Sequence, residues 1–457
     1  MATYDCIVVG AGYAGLSAAK KLKEAGKDVL VLEARARIGG RVYTKHFPDG
    51  TYEDYGGSFL GAQQPRMHAL AKEFDVRTFN TPTKGKTIFY QGGSARRYTG
   101  LIPPVALWAL IDIGLAMRKF ESLANKVDLK QPWETPEAEK LDNTTIEEWM
   151  RHQFWTSTGK RLFRVAIESI FGAAASQVSL LHGLWYTKAG GSLTVLSSVD
   201  QGAQQQLIRG GGQAIANKIH ALLGDAVRQK EPVTMVDQSS LDHVIVHTET
   251  TSYTARHIIL AIPPPLVLKM RFVPPLPAQK TQLLQHMPMG ATWKVFARYD
   301  EPFWHADSLR GECVSPDGIS KWVVDASPED RSRGTLMAFV VGPDAYRFAN
   351  MSEKKKTEKI LSQLKACYGD KAAKPVKVSF HSMINEEWST GCPVTGMAPG
   401  MWTTLGEWLR KPVDRVHWAG TETATAWSGY MEGAVQSGQR AAEEVLTAAV
   451  SSVTSQS

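Results

Sequence analysis

At the start of the chain, two short runs of apolar residues are separated by a segment whose apolar residues have helical spacing. Residues 4–9 (YDCIVV) form the first run, residues 16–26 (LSAAKKLKEAG) have helical spacing, and residues 28–34 (DVLVLEA) form the second run. The segment GAGYAG at 10–15 joins the first run to the helix. This order predicts a strand, a glycine-rich turn, a helix and a second strand, which together make a βαβ unit with parallel strands.

The hydrophobic pattern predicts further strands in the middle of the chain and a long helix near its end. Strand-like segments occupy 231–238, 243–250, 257–262 and 292–299, and three prolines at 263–265 end the third of them abruptly. Residues 416–446 predict a strand, a Gly-rich turn and a closing helix. The sequence contains no internal repeat and no low-complexity tract.

The composition is that of a folded protein with a small excess of basic residues. Hydrophobic residues make up 43% of the 457 residues, charged residues make up 21%, and the formal net charge is +7. The one dense basic cluster, the lysines at 354–356, lies on a predicted amphipathic helix where Glu353 and Glu358 interrupt it. This pattern favours a solvated helix face, so we expect no nucleic-acid partner.

The cysteines and the apolar stretches bear on the location of the protein. Four widely spaced cysteines without a CxxC pair argue against a metal site and against a disulfide framework, and therefore favour a reducing, cytoplasmic compartment. The N-terminal residues lack the long apolar core of a signal peptide. The stretch 101–117 contains two prolines and Asp112, which indicates a buried or surface-lid helix rather than a membrane anchor.

The glycine-rich turn carries the first chemical signal. Gly10, Gly12 and Gly15 form GxGxxG after a strand and before a helix, and this context is typical of dinucleotide-binding proteins. The first glycine permits the tight turn, the second lets the backbone approach a pyrophosphate, and the third allows close helix packing. Glu33, at the end of the second strand, would bind a ribose hydroxyl pair and repel the extra phosphate of NADP, so FAD or NAD is expected.

The residues after Glu33 carry a family resemblance. The segments ARARIGGRVYT at 34–44 and DYGGSF at 54–59 resemble the flavin amine oxidase superfamily. The resemblance continues in order through IPPPLVLKMRFVPPLP, MPMGATWKVFARYDEPFW and PVDRVHWAGTETATAWSGYMEGAVQSGQRAAEEVL, which are similar to monoamine oxidase segments. It therefore selects FAD as the cofactor.

The resemblance also implies which residues contact FAD. Gly420, Thr421 and Glu422 would lie along the ribityl and phosphate groups, and Val233 would hold the adenine through its backbone. A helix that opens near Tyr430 and Met431 would direct its positive end at the flavin ring, where it stabilises the charge of the reduced form. The remaining residues expected at the cofactor are Ala34, Arg35, Gly39, Gly40, Arg41, Gly56, Gly57 and Ser58.

Three further positions concern the reaction itself. Lys294 lies in the β-prone run TWKVFARY and, by resemblance, assists reoxidation of the reduced flavin by dioxygen. Cys392 occupies the place of the cysteine that bonds the flavin in monoamine oxidases, and a thiolate is chemically suited to that bond. Pro393 stands where the family pattern has a tyrosine, so this departure leaves the covalent bond and half of the substrate cage open.

The substrate side of the site is less completely specified. Tyr430 matches one of two tyrosines that face each other before the flavin in the resembling family, and Gln204 lies near a polar active-site position. With Pro393 opposite Tyr430, another aromatic residue is needed to complete the cage. The sequence does not rank the three candidates, which are Trp185, Tyr186 and Trp427.

We therefore expect an α/β fold with two discontinuous domains. A Rossmann-like FAD-binding domain is assigned to 1–80, 205–295 and 385–450, and an α+β substrate-binding domain, richer in Trp and in helical patterns, to 81–204 and 296–384. Residues 451–457 are assigned to a tail.

The predicted activity is oxidative deamination of a small-molecule amine. FAD accepts electrons from the amine, dioxygen reoxidises it, and the products are an aldehyde or ketone, ammonia and hydrogen peroxide. Polyamine oxidation, amino-acid oxidation and a non-catalytic flavin-binding role stay open as alternatives. A homodimer is expected from the resemblance.

Overall fold

The computed structural model describes residues 3–100 and 103–454. Its first layer is an eight-stranded sheet, and the predicted βαβ unit forms the centre of this sheet. The strand Thr3–Val9 pairs in parallel with Val29–Glu33 on one side and with Ser252–Leu260 on the other. The other strands of this sheet are Val227–Gln229, Val233–Asp237, Val244–Thr248, Arg271–Val273 and Val416–Trp418.

Packing on both faces explains the sequence of the central strands. All five residues of Val29–Glu33 are buried, because helices cover one face of the sheet and a second apolar cluster covers the other. The helices Tyr13–Glu24, Ala214–Leu223 and Met431–Thr454 supply the apolar side chains of the first cluster. Three of the four strands predicted for the middle region extend this sheet through antiparallel pairs, and the fourth, Thr292–Tyr299, belongs to the sheet described next.

A seven-stranded sheet forms the second layer. Its strands pair antiparallel except for Leu309–Val314, which runs parallel to Lys86–Gln91. The other five are Ser94–Tyr98, Thr292–Tyr299, Trp322–Asp325, Gly334–Val341 and Lys377–Ser382. The smaller sheets contain Thr44–His46 and Tyr52–Asp54, and Phe59–Leu60, Thr78–Asn80 and Gln206–Ile208.

The predicted domain boundary between 295 and 296 needs correction. It divides the strand Thr292–Tyr299, but the structure keeps the whole strand in the seven-stranded sheet, where it pairs with Gly334–Val341 over eight residues. The physical reason is that a strand cannot leave its ladder halfway without losing its backbone hydrogen bonds. Lys294 therefore reaches the site from the second sheet.

Helices of the region 107–197 contribute most of a large apolar cluster that is separate from those of the first sheet. Aromatic side chains dominate this cluster, among them Phe120, Trp149, Trp185 and Trp402. The α-helices not yet named are Pro65–Glu73, Leu107–Asn125, Ala138–Asn143, Ile146–Gln153, Ser157–Phe171, Leu180–Ala189, Leu193–Ser197, Pro264–Val267, Ala278–Gln285, Pro343–Ala349, Glu353–Tyr368 and Met401–Leu405.

Two sequence predictions concern segments that the structure describes only in part. Of the apolar stretch 101–117, residues 101–102 lie outside the described residues, and the helix Leu107–Asn125 has its Leu107 and Trp108 exposed, with Asp112 buried. The predicted tail needs correction at its start, because the last helix continues to Thr454; residues 455–457 lie outside the described residues. Within the described ranges, we find no helix with the length and apolar character needed to cross a membrane.

The close approach of Gly15 to the carbonyl oxygen of Gly10 leads to a prediction about stability. A Cβ atom on Gly15 would lie 1.9 Å from the carbonyl oxygen of Gly10, so the Gly15→Ala substitution must push the helix Tyr13–Glu24 away from the sheet. We expect a loss of about 2–3 kcal/mol in the free energy of unfolding, as for an overpacked core. Chemical denaturation, monitored by circular dichroism, measures this loss.

The matched control is Gly114→Ala. Gly114 lies within the helix Leu107–Asn125 and a Cβ there meets no atom within 4 Å. This substitution should leave stability unchanged or raise it by roughly 0.5–1 kcal/mol, since alanine favours the helix. Equal stability of the two variants would contradict the packing described here.

Candidate functional site

A cavity of about 460 Å³ lies at the carboxyl ends of the parallel strands. Val9, Glu33 and Ala261, at or just after the ends of three of these strands, line one part of it. Lys294 and Phe339 of the seven-stranded sheet line the opposite wall. In α/β sheets this edge is where ligands bind, since the loops that follow the strands diverge there.

The glycine-rich turn forms one end of the cavity. Gly10 has a φ of +98°, and a Cβ there would lie 2.9 Å from the carbonyl oxygen of Ala261, so a side chain is excluded. Gly12 is different: its nearest neighbour would be the Gly39 carbonyl oxygen at 3.9 Å, and its open side lines the cavity. The backbone of Gly12 is therefore accessible to a ligand. Gly15 does not line the cavity and has the packing role expected from the sequence.

The helix that begins after Gly12 presents its positive end to the same space. Within the described part of the chain, no side chain caps this helix, and Tyr13 and Ala14 line the cavity. Uncapped amides and the helix dipole together favour a phosphate group. The open face of Gly12 and this helix end thus fit the pyrophosphate of a dinucleotide.

Glu33 lies beside the turn and is held rigidly. Its Oε2 accepts a hydrogen bond from the Ala11 amide at 2.8 Å, and its Oε1 accepts one from the Arg35 amide at 2.9 Å. Each carboxylate oxygen has a second lone pair available for a ribose hydroxyl. Ala34, Arg35 and Val233 line the same end of the cavity.

Gly39 and Gly40 form the next part of the cavity wall. Their φ values of +98° and +59° lie in the region of backbone conformation that favours glycine. Gly39 also forms a parallel bridge with Gly12, so the two glycine segments lie side by side. Gly56, Gly57 and Ser58 line the cavity further along.

Arg41 is held by the buried carboxylate of Glu422, a residue that the family resemblance assigned to the cofactor. Its Nη1 lies 2.5 Å from Glu422 Oε1 and its Nη2 donates to Oε2 at 2.9 Å. Burial lowers the pKa of Arg41, but the charge and hydrogen bonds of Glu422 outweigh burial and the net shift is upward. Glu422 does not line the cavity, whereas Gly420 and Thr421 do. Its structural task is to position Arg41.

Lys294 is buried and fully bonded. It is 9% exposed, and its Nζ donates to the carbonyl oxygens of Asp54 at 3.0 Å and Gly56 at 2.5 Å and to Ser58 Oγ at 2.6 Å. Burial lowers the pKa of Lys294 to about 8, although the charge of Asp54 opposes this shift. An ammonium group is thus held at the cavity wall with a pKa near neutrality.

Cys392 and Pro393 lie on the wall near Lys294. The Cys392 thiol is half-buried, and its Sγ is 3.9 Å from the carbonyl oxygen of Thr292. Burial raises the pKa of Cys392, while the positive charge of Lys294 works in the opposite direction. The Pro393 carbonyl oxygen accepts a hydrogen bond from Arg41 at 3.0 Å, and the ring of Pro393 lines the cavity.

The three aromatic residues considered as partners of Tyr430 differ in whether they line the cavity. Tyr186 lines the cavity with it, and the two ring centroids are 6.4 Å apart with 40° between the ring planes. Trp427 packs edge-on against Tyr430 at 5.2 Å but does not line the cavity. Trp185 is fully buried and donates its Nε1 hydrogen to the Leu129 carbonyl oxygen. Of the three candidates, Tyr186 is thus the one that lines the cavity together with Tyr430.

The helix Met431–Thr454 starts at this aromatic pair. Met431 lines the cavity, and a Cβ placed on Gly57 would lie 3.8 Å from the Met431 side chain. The start of the helix therefore lies at the cavity.

Gln204 also lines the cavity, and one of its polar atoms is free. Its Nε2 donates to the Leu196 carbonyl oxygen at 3.1 Å, while the buried Oε1 has no hydrogen-bond partner among the described residues. A buried acceptor without a partner is costly, so this oxygen suits a ligand N–H group.

Several wall residues were not identified from the sequence. His381 stacks on Tyr55 with centroids 4.5 Å apart, and Trp322 stacks on Phe339 at 4.9 Å. The available signal was weak: His381, Trp322 and Phe339 are large side chains within β-strands, where core residues look the same. Their positions depend on which strands pair, which local sequence does not specify.

The chain matches the family model described as flavin-containing amine oxidoreductase over residues 13–446. It is 39% identical over 443 residues to the protein AofH of Mycobacterium tuberculosis, covering 97% of this chain and 96% of AofH. It is 38% identical to the flavin-containing amine oxidase A of Sus scrofa, covering 97% of this chain and 85% of the relative.

Solved structures agree with the sequence comparisons. A putrescine oxidase bound to putrescine superposes with a TM-score of 0.94 at 28% identity, covering 98% of this chain and 99% of the other. The cyclohexylamine oxidase of Brevibacterium oxydans superposes with a TM-score of 0.93 at 31% identity, covering 97% and 99%. The chain therefore belongs to the flavin-containing amine oxidoreductase family and is an FAD-dependent amine oxidase.

Proposed function

We propose that the enzyme oxidises a primary or secondary monoamine with an apolar substituent. The products are an aldehyde or ketone, hydrogen peroxide, and either ammonia from a primary amine or a primary amine from a secondary one. The observation that carries this proposal is a single cavity that joins Glu33 and the glycine turn to Lys294 and the Tyr186–Tyr430 pair. When bound, FAD supplies the redox chemistry by accepting two electrons from the amine and passing them to dioxygen. The protein supplies binding, orientation and a water-poor site.

The proposed cofactor contacts follow the cavity wall. The amides after Gly12 would hold the pyrophosphate, Glu33 the adenosine ribose, and Val233 the adenine. Arg41, which Glu422 positions, would add a positive charge beside the bound phosphates.

Tyr186, Tyr430 and Gln204 are proposed to receive the amine. The faces of the two aromatic rings would guide the amine nitrogen and keep water away from the α-carbon. The free Oε1 of Gln204 would accept a hydrogen bond from the amine N–H and so fix its orientation. Pro393 contributes apolar surface on the same wall.

Two charged residues of the cavity wall, Glu312 and Lys321, favour an apolar substituent because both are already paired. Glu312 lines the cavity, but its carboxylate already accepts from Trp322 Nε1 at 3.1 Å and pairs with Arg310. Lys321 pairs with Asp344 at 2.8 Å. A diamine or an amino acid would need an uncommitted carboxylate or cation for its second charged group, and these two residues are already paired. The relatives named after putrescine and cyclohexylamine define the amines to compare first.

Three broader proposals accompany this function. We propose that the two main sheets mark two discontinuous domains, that the enzyme acts in the cytoplasm, and that it forms a homodimer. The location is supported by four cysteines that are all free thiols in the structure. The homodimer is supported only by the family resemblance.

Lys294 is proposed to assist the reaction with dioxygen, because its ammonium group stabilises the negative charge that dioxygen acquires. We expect Lys294→Met to slow flavin reoxidation about 100-fold while anaerobic reduction by amine changes less than about threefold.

In the native enzyme, the reoxidation rate constant should be high below pH 8 and fall as pH rises through about 8, where Lys294 loses its proton. Stopped-flow absorbance of each half-reaction measures both effects.

The controls separate charge from structure. Lys294→Arg keeps a positive charge across this pH range and should lose the step near pH 8. Lys294→Met should be slow at every pH, again without the step. An equal loss in both half-reactions, or an unchanged pH profile in either variant, would remove this role from Lys294.

Cys392 is proposed to bond the flavin through a thioether, since its thiol lines the cavity and Lys294 favours its thiolate form. Acid precipitation of the native protein should then leave the yellow colour in the pellet. The Cys392→Ala variant should release all colour into the supernatant. Soluble flavin from the native protein would show that FAD is held without a bond.

A further inference from the structure

A pair of cysteines lies on the far side of the cavity wall and has no part in amine binding. Cys313 is in the strand Leu309–Val314 and Cys367 is in the last turn of the helix Glu353–Tyr368. Their Sγ atoms are 3.4 Å apart, and both are free thiols. The pair is 54 residues apart in sequence, so cysteine spacing alone could not reveal it.

The geometry allows a bond with little movement. A disulfide requires the sulfur atoms to approach to about 2.05 Å, which is about 1.4 Å closer than they are here. Rotation about the side-chain bonds of two cysteines can supply a movement of this size. The strand and the helix already pack together in one apolar cluster, which holds the two thiols in contact.

The pair also lies behind one wall of the cavity in which the proposed reaction makes peroxide. Glu312 and Val314, on either side of Cys313, both line the cavity. Because neighbouring residues of a strand point to opposite faces, the Cys313 side chain lies directly behind that wall. Peroxide released into the cavity has one strand to pass before it reaches the thiols.

A third group completes the cluster. Tyr368 follows Cys367, and its buried hydroxyl has no hydrogen-bond partner among the described residues. Tyr368 packs in the same apolar cluster as Cys313 and Cys367, and burial raises the pKa of its hydroxyl, which therefore stays neutral. A neutral hydroxyl in this cluster can give a hydrogen bond to the hydroxide that leaves when peroxide is cleaved.

We propose that Cys313 and Cys367 are a modification site, at which hydrogen peroxide made by the enzyme converts the two thiols into a disulfide. The proposal rests on the proposed function for its source of peroxide. It does not depend on which amine is oxidised.

The chemistry balances in two steps. Cys367, a residue that is 7% exposed while Cys313 is fully buried, attacks one peroxide oxygen through its sulfur; the O–O bond breaks and a sulfenic acid and one water form. The Cys313 sulfur then displaces hydroxide from the sulfenic acid, which forms the S–S bond and a second water. The two thiols lose two electrons and two protons, and the peroxide gains them.

Burial limits the speed of this modification. Both cysteines are buried, which restricts access of peroxide to their sulfur atoms. The disulfide should therefore accumulate over many turnovers rather than during the first one.

The experiment uses the holoenzyme and peptide mapping. The enzyme is incubated aerobically with benzylamine until it has turned over many times, then denatured, alkylated with iodoacetamide and digested. We expect a cross-linked peptide pair that contains Cys313 and Cys367 and has lost two hydrogen atoms. Catalase in the incubation should prevent it, and dithiothreitol should reverse it.

A second arm separates this proposal from the proposed function. Reagent hydrogen peroxide, added without amine, should give the same cross-linked pair even if benzylamine is not a substrate. Failure only in the amine arm would overturn the source of the peroxide. Full alkylation of both cysteines after reagent peroxide would overturn the modification site.

Variants provide matched controls. Cys6→Ser removes a fully buried cysteine of the other sheet and should leave cross-linking unchanged. Cys313→Ser should give sulfinic or sulfonic acid at Cys367, because no second thiol can trap the sulfenic acid.

The oxidised native protein should unfold at a temperature about 5 °C higher than the reduced protein, and Cys313→Ser should show no such shift. An unchanged unfolding temperature in the cross-linked protein would contradict the expected tether.

Discussion

The site depends on two close packing contacts that require glycine. One joins the first helix to the turn at Gly10, and the other joins the first helix to the last one. Gly15 presses the helix Tyr13–Glu24 onto the Gly10 carbonyl, and a Cβ on Gly438 would lie 2.0 Å from the Ala14 carbonyl oxygen. The second contact brings the helix Met431–Thr454 directly against the first helix. Since this second helix begins beside Tyr430, the nucleotide end and the aromatic end of the cavity are set by one packing arrangement.

Buried charges in the site are held by specific partners. Arg41 is paired with Glu422, Glu33 accepts two backbone hydrogen bonds, and Lys294 donates three. Each group is thereby kept in one position before any ligand arrives, which reduces the reorganisation that binding or reaction requires. Among the polar atoms of the cavity wall that have no partner in the described part of the chain is Oε1 of Gln204, which we propose faces the amine.

Much of this arrangement could be predicted from the sequence, for identifiable reasons. The glycine turn and Glu33 were recognisable because their function depends on local backbone geometry and spacing, whereas the role expected of Lys294 came from the family resemblance. The choice of Tyr186 over Trp185 and Trp427 was not predictable, since it depends on the rotation of the helix Leu180–Ala189 against the cavity. The boundary at 295 and the contact between Cys313 and Cys367 depend on long-range strand pairing, which a single sequence does not encode locally.

The central claim is that one cavity binds FAD at the glycine turn and presents it to an amine between Tyr186 and Tyr430. Anaerobic titration of the FAD-loaded protein with benzylamine, followed by visible absorbance, tests this claim most directly. The account predicts complete loss of the oxidised flavin absorbance with one benzaldehyde formed for each flavin. A protein that takes up no FAD, or one whose flavin stays oxidised with every primary and secondary amine tried, would contradict it.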